Sequence, residues 1–290
     1  MNVYEIVTEK LVAALERGTV PWRRPWRGAD GAPRNMASGK EYRGINSLLL
    51  GMSGYDSPTW GTMNQINAAG GRVRRGERST LVVFFKQLEL TRADADGEEI
   101  VKHVPMLRYY LVWNTDQCDG LKLAPRAGAA PAPVEPLAAG LAVVAGMPNT
   151  PRIVTGGRAC YMPGPDVVEM PDADRFTGAP AYYSTLFHEL THSTGHESRL
   201  NRKGITSVAR FGDSTYSREE LVAEMGAAFV CAASGIEHDD EQSAAYLQCW
   251  IKALRGDSRL AVVAAGQAQK AADYILNRPN ITGQSAGKGA

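Results

Sequence analysis

The segment HELTHSTGH, from His188 to His196, constrains this chain more than any other stretch. On a helix, positions four apart lie one turn apart, about 6 Å along the axis and on one face. Imidazoles at His188 and His192 can therefore reach a single metal ion, with Glu189 beside the coordination position left open. The tasks separate by chemistry. Two neutral ring nitrogens hold Zn2+, the ion this pattern implies, while the carboxylate takes a proton from water at the open position. Tyr182, Tyr183, Leu186, Phe187 and Leu190 surround the motif, so the helix is expected to be partly buried. Partly buried imidazoles facing one way require partners, and a metal supplies one. Thr177 to Pro180 supplies a helix start and Gly195 a stop.

The third ligand has to come from elsewhere. His196 lies about 12 Å along the axis from His188 if the helix continues. One ion cannot hold both at about 2.1 Å unless the helix ends at Gly195 and the chain turns back. The pattern HExxHxxGxxH would require a histidine at 198, and that residue is Ser198. A Glu from a following helix remains, and SREELVAEMGAAFVCAASG offers Glu220 and Glu224, four apart on one face. Glu224 lies deeper in the apolar segment and is the expected ligand. Glu220 is the substitute, and His196 stays as the remaining alternative.

A chain of 290 residues, 44% hydrophobic and 22% charged, can bury a large core and is long enough for two domains. No apolar run approaches the roughly 18 residues that a membrane span needs. The start, MNVYEIVTEKLVAALERG, lacks a basic segment followed by an apolar block, and its Val3, Ile6, Val7, Leu11 and Leu15 fit one helix face. The expected setting is the cytoplasm, away from membranes. Cys118, Cys160, Cys231 and Cys249 form no CxxC pair and read as buried thiols rather than disulfides or a zinc cluster.

The net charge of +1 hides an asymmetry. Residues 1–126 carry 18 basic against 14 acidic side chains, and between Arg17 and Lys86 the count is 12 against 4. The Ala/Pro-rich run at 124–136 reads as a linker, which places one domain at 1–123, another at 137–280 and a flexible tail at 281–290. Within the basic part, Trp22 and Trp26 stand among Arg23, Arg24 and Arg27. Lys40, Tyr42, Arg43 and Trp60 follow, then Arg72, Arg74, Arg75, Arg78 and Lys86. Guanidinium groups neutralise phosphates and aromatic faces stack on unpaired bases, so this mixture suits single-stranded DNA better than duplex. The same tryptophans would also serve as core residues above a solvated arginine face. INSLLLGMS and MNQINAAGG read as helices. TLVVFFKQ and VPMLRYYLVWN read as strands paired across a loop at RADADGEE, which makes the class α+β.

VPWRRPW, SGKEYRGIN, WGTMNQI, RRGERST and RYYLVWNTDQCDGL, together with HELTHSTGHESRLNR, resemble the ArdC family of plasmid-borne antirestriction proteins. The N-terminal part is also similar to that of TraC-type primases of conjugative plasmids. The resemblance covers nearly the whole chain. It implies an N-terminal domain that binds single-stranded DNA, a C-terminal zincin-like metallopeptidase domain, and protection of DNA entering a new host from restriction. Two alternatives stay open: a non-catalytic protein that coats DNA and uses zinc structurally, and a DNA-dependent protease that cuts a DNA-bound protein. A protein or peptide substrate is the further partner that catalysis would require.

Overall fold

The computed structural model describes residues 2–22, 31–93, 99–121, 135–202, 214–238 and 244–279, with side chains left undescribed at 85–106, 214–217 and 244–246. The first helix, α1 (Val3–Glu16), opens on a capping box. The Asn2 side chain accepts the Glu5 amide at 3.0 Å while Glu5 accepts the Asn2 amide at 2.7 Å. Val7, Leu11, Val12 and Leu15 line its buried face.

Next come β1 (Arg34–Asn35), α2 (Ile45–Gly51), β2 (Thr59–Gly61), α3 (Met63–Ala68) and β3 (Arg72–Val73). A long hairpin follows, β4 (Thr80–Ala93) and β5 (Glu99–Asn114), then the short β6 (Cys118–Asp119). One sheet has the order β1-β2-β5-β4, and β3 pairs with β6 apart from it. The hairpin register runs from Thr80 opposite Val112 to Ala93 opposite Glu99. The strands are therefore longer than the sequence suggests, and Arg92, Ala93 and Glu99, expected in a loop, belong to the ladder. Antiparallel ladder bonds are made by the backbone and do not require apolar side chains, so the pairing continues where composition alone reads as loop.

The second half begins with α4 (Pro136–Gly146), where the Glu135 side chain accepts the Leu137 and Ala138 amides at 3.2 and 2.6 Å. Strands β7 (Arg152–Thr155), β8 (Cys160–Met162) and β9 (Val167–Met170) form a sheet of order β7-β9-β8, so β8 is an edge. Four helices complete the chain: α5 (Ala179–Ser193), α6 (Ser214–Ser234), α7 (Ala244–Gly256) and α8 (Leu260–Ile275). The α+β class read from the sequence holds.

Helix α6 is buried continuously from Glu220 to Cys231 because α5 and α8 pack on it from different sides. Gly226 allows the closest approach: a Cβ there would stand 2.5 Å from Cγ2 of Thr191 on α5. The main core does not stop at the Ala/Pro-rich run. Val7, Leu11 and Leu15 of α1 share it with Trp250, Leu254, Ala261 and Ala268 of α7 and α8. The Trp22 ring packs edge-on against Trp250 at 5.1 Å. Arg43 pairs with Asp273, and the Gly44 amide donates to Gln269 at 3.0 Å, which ties the α2 entry to α8. Among the described residues, no helix is long and apolar enough to cross a membrane. The four cysteines are free.

Candidate metal centre

Helix α5 begins with Pro180 in its first turn, a position where the missing amide costs nothing. It carries the motif to Ser193, and the turn expected at Gly195 follows. The His196 amide donates to the Ser193 carbonyl at 3.0 Å and the Leu200 amide to Thr194 at 2.9 Å. That turn sends His196 to Ser198, with Nδ1 and Oγ 2.8 Å apart, and removes it from the set of metal-ligand candidates.

The Nε2 atoms of His188 and His192 stand 3.1 Å apart, with both side chains about 85% buried. Glu220 on α6 faces both nitrogens, its two oxygens 3.4 Å from His192 Nε2 and 3.6 Å from His188 Nε2. These three residues form the potential metal-ligand group found among the described residues. Two tetrahedral ligands at about 2.1 Å from one ion stand about 3.4 Å apart, so the donor set fits a metal without rearrangement.

The expectation of Glu224 as third ligand is corrected by this geometry. Its carboxylate lies 3.6 Å from Nδ1 of His188, the ring nitrogen turned away from the cluster. Residues four apart on one helical face share a direction but not a height, and Glu220 sits at the level of the paired Nε2 atoms. Each histidine thus has a second carboxylate behind it, Glu224 for His188 and Glu219 for His192, the latter at 3.4 Å. Such partners fix the ring orientation and raise ligand basicity. Glu219 is itself held by Arg202, whose Nε donates to it at 3.1 Å while other guanidinium atoms donate to Thr194 Oγ1 and the Thr191 carbonyl.

Electrostatics follow from the packing. Burial disfavours the charged form of His188, yet the Glu220 hydrogen bond and the Glu224 charge outweigh it and raise its pKa to about 9. For His192 burial is outweighed by Glu219 and Glu220, which raise the value to about 10. Burial pushes the Glu219 and Glu220 carboxyls up, but the histidines (and Arg202 for Glu219) hold both below the usual range.

Glu189 is 8% exposed, and its Oε2 accepts the Tyr161 backbone N–H of the edge strand β8 at 2.8 Å. The Tyr161 hydroxyl donates to Asp166 at 2.8 Å, and Arg199 grips both Asp166 oxygens at 2.9 and 2.7 Å. Arg199, Arg202 and Glu219 are supporting residues that sequence reading missed, whereas Tyr161 is one of four tyrosines that the sequence offers as oxyanion stabilisers without singling one out. The two arginines follow the motif in ESRLNR, and Glu219 directly precedes Glu220, but nothing in their spacing marks a role.

Among the described residues, those expected to contact DNA differ in exposure. Trp22 is fully buried and Trp60 is 2% exposed, each walled in by core side chains. A buried ring offers no face to a base, so both tryptophans are corrected to core residues. Tyr42 is part-buried, its hydroxyl accepting from Asn35 at 3.2 Å, and Arg43 is engaged by Asp273. Arg74 donates to Glu77 and to the Asp116 carbonyl. Lys40, Arg72, Arg75 and Arg78 are exposed. Arg23, Arg24, Trp26 and Arg27 lie outside the described residues, as does the side chain of Lys86.

Comparison with known proteins matches this arrangement in two pieces. Residues 1–113 match the family described as the N-terminal domain of anti-restriction factor ArdC, and residues 146–267 match the zincin-like metallopeptidase family. The fold and the centre therefore define a protein in which an ArdC-type N-terminal unit precedes a zincin-like unit. The crystal structure of the antirestriction ArdC protein from plasmid R388, metal-free, is similar over 95% of this chain and 97% of that one, with 41% identity and a TM-score of 0.74. Its Mn(II)-bound structure shows 39% identity and the same TM-score over 96% and 98%. This chain belongs to the ArdC antirestriction family. An uncharacterised Sinorhizobium fredii protein, y4eC, is 34% identical over 94% of this chain and 91% of its own length. Two Escherichia coli DNA primases named TraC are 37% identical over 94% of this chain, which spans only 27% and 20% of their lengths. A zincin-like domain implies a metal. The Mn(II)-bound relative leaves the general statement of a divalent ion in place of the Zn2+ read from the motif.

Proposed function

We propose that this protein binds single-stranded DNA, protects incoming plasmid DNA from restriction in the recipient cytoplasm, and hydrolyses a peptide bond at a Zn2+ centre. The observation that carries the hydrolytic part is the convergence of His188, His192 and Glu220 beside an intact Glu189. A divalent ion held there supplies Lewis-acid polarisation of a carbonyl and acidifies water. Glu189 accepts the proton of the attacking water and returns it to the leaving amine. Glu219 and Glu224 keep the two imidazoles aimed, and the edge strand β8 offers backbone groups along which an extended peptide can lie. Family membership and the exposed Arg72, Arg75 and Arg78 support the DNA-binding part.

A second reading has one observation in its favour. Glu189 is held by the Tyr161 N–H as a structural carboxylate would be, which suits a DNA-coating protein whose metal is structural. Glu189→Ala separates the two. The variant is compared with the parent for restriction protection, single-strand binding and metal content on the same samples. Loss of protection with DNA and metal binding intact supports hydrolysis and a protein substrate. Full protection by the variant eliminates hydrolysis from the mechanism.

A further inference from the structure

With Trp22 and Trp60 in the core, single-stranded DNA has to find its stacking surface elsewhere. The β4–β5 hairpin carries one. Among the described residues, β5 pairs with β2 only at Trp113 and Asn114, and its outer edge has no strand partner before them. Tyr109, Tyr110 and Leu111 consequently stand 48%, 49% and 44% exposed, although the strand runs on into the sheet. Exposed aromatic residues on consecutive strand positions need an explanation other than packing.

Alternation along the strand divides them between two faces. Phe84 pairs with Arg108 and Val82 with Tyr110, so Phe84, Arg108 and Tyr110 share a face. The rings of Phe84 and Tyr110 meet edge-on at 6.2 Å. Towards the sheet the same face continues into the buried Val82, Val112 and Trp60 cluster. Tyr109 and Leu111 point the other way, the side on which Leu107 packs against the main core.

Basic side chains stand on and beside the first face. Arg108 is exposed on it, and Arg75 and Arg78 are exposed in the segment leading into Thr80, which pairs with Val112 two residues from Tyr110. Nearby acidic groups are answered locally: Glu77 binds Arg74 at 2.8 Å, Asp119 lies 3.9 Å from Arg74, and Asp116 accepts the Ser57 amide at 2.9 Å. An aromatic ring flanked by arginines on an open sheet face matches the requirements of an unpaired strand, a π-face for the base and cations for the phosphates.

We propose that the β4–β5 face formed by Phe84, Arg108 and Tyr110 is the platform on which single-stranded DNA stacks. This assignment rests on the DNA-binding reading above. Tyr110 holds a base, Phe84 supports its ring from the edge, and Arg108 with Arg78 tracks the backbone.

The test uses the full-length protein and a fluorescein-labelled 20-mer of thymidylate, with anisotropy read between 50 and 200 mM NaCl. Tyr110→Ala is expected to weaken binding about tenfold, whereas Tyr110→Phe keeps the ring and stays within about twofold. Tyr109→Ala, on the opposite face, also stays within about twofold. Arg108→Gln lowers the slope of log affinity against log salt by about 0.7. Unaltered Tyr110→Ala affinity in a parent that binds overturns the platform alone, as does an equal loss from Tyr109→Ala. If Tyr110→Ala fails to fold, an unchanged salt slope in Arg108→Gln overturns it independently. A change in sedimentation without a change in DNA affinity reassigns the face to a second copy of the chain and also overturns it. A parent that does not bind the oligonucleotide at all removes the DNA-binding reading itself.

Discussion

His188 and His192 divide their ring nitrogens between two tasks, with Nε2 facing Glu220 and Nδ1 facing Glu224 or Glu219. Losing a ligand and losing an orienting carboxylate should therefore look different. Glu220→Ala is expected to abolish stoichiometric metal, whereas Glu224→Ala lowers affinity about 10- to 100-fold and leaves a filled site at high metal concentration. Titration of both variants with Zn2+, followed by elemental analysis, distinguishes the two, and equal losses would return Glu224 to the ligand set. The same carboxylates set a pH dependence. Facing carboxylates raise the histidine pKa values to about 9 and about 10 without metal, so at pH 7 the pair holds a proton that a metal must displace. Metal uptake at that pH should release protons, measurable by calorimetry in buffers of different ionisation enthalpy. The sign for stability follows. Ion pairing of the raised histidines stabilises the metal-free fold fully below pH 6.5, and this contribution is lost as pH rises through about 9 to 10. The Tm of metal-free protein should fall over that window.

At the scale of elements, the centre depends on how closely α6 approaches α5. Gly226→Ala places a methyl 2.5 Å from Thr191 Cγ2, and both residues lie where the helices are fully packed. The substitution is expected to cost about 1–3 kcal/mol and to weaken metal binding by displacing Glu220. Combining it with Thr191→Ser, which removes that methyl, should restore part of both, as a double-mutant cycle would show. Which of these features a reader of the sequence can see depends on their range. The spacing of His188, Glu189 and His192 is local and survives translation into structure unchanged. The choice between Glu220 and Glu224 is not local, because it depends on where α6 crosses α5. Trp22 and Trp60 fail for a related reason: a tryptophan beside arginines has the same sequence signature whether its ring faces solvent or the core. Tyr110 was equally visible in RYYLVWN, but its exposure follows from β2 pairing with only the last residues of β5.

Over the whole molecule, the first helix and Trp22 are built into the far end of the chain. Thr8 donates to the Ser258 carbonyl at 2.8 Å, and Arg255 pairs with Glu16. Trp22→Ala is expected to cost about 3–5 kcal/mol. It should lower one shared melting transition, with metal-site stability falling alongside it, rather than produce a selective loss of DNA affinity. Two separated transitions in calorimetry would mean the halves melt independently.

That shared core also limits how the chain can be cut and reused. Ending it after residue 113 would strip α1 of the helices that cover it, and starting it at residue 146 would expose the surface around Trp250. An insertion into a larger polypeptide is safest when it carries the whole piece. The TraC primases match 94% of this chain within about a quarter or a fifth of their own lengths, in line with a piece whose described halves share one core.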